Sequence, residues 1–131
     1  MIKILETNRL DEIARIGWIP INNENSIEVY VHTNDAGNVP HFHVRKYSKG
    51  NLFSWETCIK YESAEYFLHG KHKDKLSSSK IAKELNNMLS TLNPKDPGRT
   101  YWQTAIVAWN NNNSGTELPF DLKQPDYTKL R

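Results

Sequence analysis

The chain of 131 residues contains a single cysteine, Cys58. With no second thiol to pair with, it forms no intrachain disulfide, and it cannot build a cysteine-based zinc finger or ribbon. Its expected role is that of a small buried hydrophobe in a strand. Long apolar runs are missing too. No stretch approaches the roughly twenty residues that span a bilayer. The first fifteen residues carry charges throughout and hold no secretory apolar segment, so the expected compartment is the cytoplasm, with no membrane partner. No internal repeat is visible. A large excess of charge is also lacking: the formal net charge is +2, modest for a protein whose main task is gripping nucleic acid.

What the chain does hold is enough for one folded domain. A hydrophobic fraction of 37% is low, yet 11% aromatic residues and clear periodic segments argue against disorder. The length suits a single core. Charge is unevenly spread: residues 41–83 carry nine Lys or Arg against four acids, which makes an anionic partner for that segment plausible. The abundance of Asn and Lys suits an AT-rich coding source, such as a bacterium or a phage.

The densest signal lies at Asn34-Asp35-Ala36-Gly37-Asn38-Val39-Pro40-His41-Phe42-His43-Val44-Arg45. Asn, Asp and Gly favour a reversal here, and Pro40 starts an extended run or sits on an edge. Period-two alternation then sends His41, His43 and Arg45 to one side and Phe42 and Val44 to the other. In the preceding run Ile27, Val29 and Val31 oppose Glu28, Tyr30 and His32. Pairing the runs as a hairpin with the apolar residues buried gathers Glu28, Tyr30, His32, His41, His43 and Arg45 on one polar face.

Taken in order, residues 8–17 read as a short helix capped by Asn8 or Thr7, with Leu10, Ile13 and Ile16 on one stripe. An apolar connector and a polar turn follow. After the hairpin, residues 52–61 alternate as a third strand, with Phe53, Trp55, Thr57 and Ile59 on one side and Ser54, Glu56, Cys58 and Lys60 on the other. Residues 65–69 form a short fourth strand. Ser77 or Ser78 caps a helix to about Leu92, and a second helix spans roughly residues 100–110. The fold class is therefore α+β, a small three- to four-stranded antiparallel meander packed by two C-terminal helices, plus the N-terminal helix. The single domain divides into 1–26 (helix and connector), 27–69 (sheet), 76–113 (two helices) and 114–131 (an extended tail).

Several chemistries suit the polar face. His41 and His43 are a general acid and base pair for a metal-independent ribonuclease, with Arg45 or Lys46 stabilising the phosphorane charge. A histidine-triad hydrolase fits less well, because Arg45 stands where the third alternating histidine would be. Metal ligation by His41, His43 and His32 needs carboxylates from Glu28 or Asp35, and no tetrahedral set is evident, so neither a metal nor another cofactor is expected. A binding role uses His32, Tyr30, His41, His43, Arg45 and Lys46, with interleaved aromatics that suit RNA or single-stranded nucleic acid. A purely architectural role has the two histidines hydrogen-bonded to the turn, fixing the hairpin.

The residues Asn34-Asp35, Pro40-His41-Phe42-His43, Ile59-Lys60-Tyr61-Glu62, Phe67-Leu68-His69-Gly70 and Trp109-Asn110 resemble the pattern of a family of small bacterial proteins, a domain of unknown function with a Pro-(Pro)-His-Phe-His motif. The resemblance covers about residues 27–113. It departs at Val39, where proline usually stands, in a longer turn and in an extended loop between the helices. It implies a gene context of toxin–antitoxin-like pairs or mobile elements and carries no catalytic residues. The combined expectation is a small cytoplasmic interaction module whose partner is a cognate small protein or a host target, or else RNA. The alternative is the ribonuclease-like toxin using His41, His43 and Arg45.

Overall fold

A computed structural model of the protein describes residues 13–33, 39–48, 52–69, 74–76 and 78–131. Four strands, β1 (Ile13–Pro20), β2 (Ser26–His32), β3 (His41–Ser48) and β4 (Leu52–Lys60), form one antiparallel meander in the order β1-β2-β3-β4. Two helices follow, α1 (Ser79–Leu89) and α2 (Tyr101–Asn112), and a 3₁₀ turn spans Tyr127–Lys129. The class is α+β.

The first strand corrects the sequence expectation. Residues 13–17 were expected to end a helix, yet they pair with β2 through Ile13↔His32, Ala14↔Val31 and Arg15↔Tyr30, then Gly17↔Val29. The skipped residue is Ile16, the extra member of a β-bulge. A bulge shifts the phase of alternation, so Ile16 and Ile19, three apart, are both buried. The stripe that suggests a helix is Leu10, Ile13 and Ile16, and its spacing of three at Ile13 and Ile16 runs into this bulge. Residues 8–12, the first half of the expected helix, lie outside the described residues, as do the 34–38 turn and loop residues 70–73. The expected fourth strand, residues 65–69, is reduced to bridge positions at Tyr66, paired with Ile59, and His69, with the Lys60 N–H donated to the Glu65 carbonyl at 2.9 Å and the Phe67 N–H to the Cys58 carbonyl at 2.9 Å. The meander keeps four strands because β1 joins at the other end.

One face of the sheet is apolar and meets the helices. Ile27, Val29, Val31, Phe42, Val44 and Ile59 pack against Ile81, Leu85 and Leu89 of α1 and Trp102, Ala105, Ile106 and Trp109 of α2. Ser78 caps α1 by accepting the Ile81 N–H. Thr100 opens α2 with a reciprocal capping box: its hydroxyl accepts the Gln103 N–H while the Gln103 side chain accepts the Thr100 N–H. Between the helices the chain turns through Gly98, whose φ of 86° disfavours any side chain.

The tail straps the helices to the sheet. Trp102 Nε1 donates to the Leu122 carbonyl at 2.7 Å, and Trp109 Nε1 donates to the Thr116 carbonyl at 2.9 Å. Tyr127 is fully buried, and its hydroxyl donates to the Lys60 carbonyl at 2.6 Å. No helix among the described residues is long and apolar enough to cross a membrane.

Candidate functional site

The second face of the sheet is polar, as the alternation requires, but it is not open. Registers Glu28↔Arg45 and Tyr30↔His43 join β2 to β3, and His43↔Cys58 and Arg45↔Glu56 join β3 to β4. Partners across antiparallel strands share a face. The three strands thus bring Glu28, Tyr30, His32, His43, Arg45, Glu56 and Cys58 together.

At one end of this face Glu28 is fully buried. Its carboxylate accepts from Arg15 Nε, from Arg45 Nε at 2.7 Å and from the Tyr47 hydroxyl at 3.2 Å. Two guanidiniums offset the cost of burying the negative charge. Arg45 Cζ also lies 4.3 Å from the centre of the Tyr30 ring, a cation–π contact. Arg45 is therefore engaged with Glu28 and Tyr30.

Towards the other end the histidines cluster. His41 is 0% exposed and His43 1%. His41 Nδ1 donates to the Val39 carbonyl at 2.8 Å; a carbonyl only accepts, so the lone pair of the neutral ring is on Nε2. His43 Nδ1 lies 3.1 Å from Glu56 Oε2, which also accepts from the Tyr30 hydroxyl. Burial first, then the Glu56 hydrogen bond and charge, push the Tyr30 hydroxyl far above its ordinary range, so Tyr30 stays a donor. Ring centres of His32 and His43 are 4.5 Å apart, those of His41 and His43 5.2 Å, and those of His41 and His69 5.1 Å. Cys58 Sγ is 3.4 Å from His43 Nδ1 and 3.8 Å from Nε2. Two triplets, His41-Cys58-His69 and His32-His43-Glu56, each bring their potential ligand atoms within 4.8 Å of one another.

Of the residues nominated from sequence, Tyr30, His32, His41, His43 and Arg45 occupy this one face. Lys46 does not. It pairs with Ile27 and Trp55, the parity of Phe42 and Val44, so it belongs to the side opposite the histidines. His41 and His43 are both buried, whereas the ribonuclease role calls for rings that a phosphate can reach. Three members went unnominated: Glu56, Cys58 and His69. The signal for the first two was present, because a β3–β4 hairpin puts Glu56 and Cys58 on the parity of His43 and Arg45. The expected 65–69 strand put this segment beside β4, where the Phe67 N–H donates to the Cys58 carbonyl, but gave no sign that His69 joins the histidines of β3.

The same face continues to the β1 edge, where Trp18 pairs across the strands with Glu28. Trp18 is 41% exposed, its ring centre is 5.1 Å from that of Tyr47, and Arg15 Cζ lies 4.7 Å from the Trp18 ring centre. Arg15 and Trp18 line a cleft of about 570 Å³ together with Lys95, Asp96, Tyr101 and Thr104. Compared with known protein families, with curated proteins and with solved structures, the chain matches none.

Proposed function

We propose that the protein is a binding module for a protein partner, of the kind encoded in toxin–antitoxin-like pairs or on mobile elements. The observation that carries this reading is the exposed Trp18, in contact with Arg15 and Tyr47 beside the β1 cleft. Tryptophan, tyrosine and arginine are the residue types that dominate binding energy at protein interfaces, and a cleft beside them suits an anchoring side chain of the partner. The contact surface is therefore the Trp18 end of the polar face rather than its histidine end, where His41 and His43 are buried. The likeness of the Pro40–His43 stretch to a family found in paired genes supports a small cognate protein as the partner.

The test is co-expression with the product of the adjacent gene, followed by size-exclusion chromatography and titration calorimetry of wild type and Trp18→Ala. The expected result is a stable complex that Trp18→Ala weakens by at least about tenfold, as for an interface anchor. Absence of a complex, or a complex indifferent to Trp18→Ala, would overturn the reading. Incubation with cellular RNA supplies the contrasting result: cleavage lost in His41→Ala/His43→Ala would replace a binding module with a ribonuclease.

A further inference from the structure

We propose that His41, His43, Cys58 and His69 form a closed four-ligand site for a borderline-soft divalent cation of the zinc class. The geometry is independent of the Trp18 surface. Zinc holds thiolate sulfur at about 2.3 Å and imidazole nitrogen at about 2.0 Å, so two such ligands at the tetrahedral angle stand about 3.5 Å apart. Cys58 Sγ and His43 Nε2 are 3.8 Å apart. Imidazoles sharing one tetrahedral ion have ring centres about 5 Å apart by the same construction. Here His41–His43 is 5.2 Å and His41–His69 is 5.1 Å; His43–His69 is wider, at 6.5 Å. The ligand atoms of His41, Cys58 and His69 lie within 4.8 Å of one another, and His43 stands beside this triplet, its Nε2 3.8 Å from Cys58 Sγ.

The outer contacts fit the same reading. Metal-bound histidines characteristically donate their other N–H to a carbonyl or carboxylate, which sets the tautomer and raises the basicity of the ligand nitrogen. His41 does this to the Val39 carbonyl and His43 to Glu56, itself held by Tyr30. Charge closes as well: a divalent cation, the Cys58 thiolate and the Glu56 carboxylate sum to zero in a buried place, where a net charge would be costly. On loading, the thiol releases its proton to solvent and the sulfur binds as thiolate. Four protein ligands leave no open position, so the ion is structural and ties the 65–69 segment to β3 and β4.

The test titrates Co²⁺ and Zn²⁺ into metal-stripped full-length protein. The expected result is one equivalent of Co²⁺ giving a thiolate-to-cobalt charge-transfer band with tetrahedral visible absorption, bleached by Zn²⁺. Cys58→Ser abolishes the charge-transfer band, Glu56→Gln weakens affinity about 10- to 100-fold, and His32→Ala leaves the spectrum unchanged. Wild type with no such band overturns the proposal whatever the variants do. So does stoichiometric binding that survives Cys58→Ser and is lost in His32→Ala, which would move the ion to the His32-His43-Glu56 triplet.

Discussion

Thr57 shows how a single polar atom can sit at odds with its surroundings. It is fully buried on the apolar side of β4, paired across the sheet with Val44, and its hydroxyl has no hydrogen-bond partner among the described residues. A buried unpaired hydroxyl carries a desolvation penalty, whereas an isosteric methyl does not. Thr57→Val is expected to stabilise the protein by about 1 kcal/mol. Urea denaturation measures this, and a destabilised variant would show that the hydroxyl is satisfied in the native state. Glu28 is the contrasting case: it is equally buried, and its two arginines and one tyrosine hydroxyl make it a well-compensated charge.

Strand β1 depends on close approach as much as on pairing. A Cβ at Gly17 would stand 2.8 Å from Cε1 of Tyr101 and 3.4 Å from the Met88 sulfur. The Tyr101 ring is rigid and starts α2, so the strand and the helix would have to separate. Gly17→Ala is expected to destabilise by about 1–3 kcal/mol through overpacking. Thermal melts with Gly17→Ala in wild type and in a Tyr101→Ala background test the cause, since removing the ring should erase most of the penalty. Equal penalties in both backgrounds would place the strain elsewhere. The bulge at Ile16 belongs to the same arrangement, because it brings Ile16 and Ile19 together onto the helix-facing side.

The assembled molecule encloses three tyrosine hydroxyls, those of Tyr30, Tyr61 and Tyr127, and burial is the first cause that raises each above the ordinary value near 10. The folded chain keeps these protons where the unfolded chain releases them. Their contribution is therefore fully present below about pH 10 and is lost as pH rises beyond it. Denaturation midpoints measured from about pH 8 to about pH 11 should fall steeply at the alkaline end, and Tyr127→Phe should flatten that slope. A flat wild-type profile would mean that the hydroxyls titrate normally. Tyr127 is informative because it is the point where the tail meets the sheet: its hydroxyl donates to the Lys60 carbonyl, and close by the Tyr66 N–H donates to the Arg131 carbonyl.

Alternation was enough to read the hairpin faces. Ile27, Val29, Val31, Phe42 and Val44 could be assigned to the core, and Tyr30, His32, His41, His43 and Arg45 to one polar face, because side-chain direction along a strand has a strict period of two. The two C-terminal helices were legible, the first from its serine cap and apolar stripe and the second from the helical spacing of Trp102, Ile106 and Trp109. Strand β1 was not, since Leu10, Ile13 and Ile16 are spaced by three as on a helix, and the bulge at Ile16 breaks the alternation that would have marked a strand. Whether the polar face was open or enclosed also lay beyond local pattern. Enclosure depends on Glu28 collecting Arg15 and Arg45 from different strands and on the Phe67–His69 segment lying beside β4. Local residue chemistry thus established which side chains share a face. Contacts between residues distant along the chain, Cys58 and His69 with His41 and His43 above all, decided what that face can hold, because only packing brings them within a few ångströms.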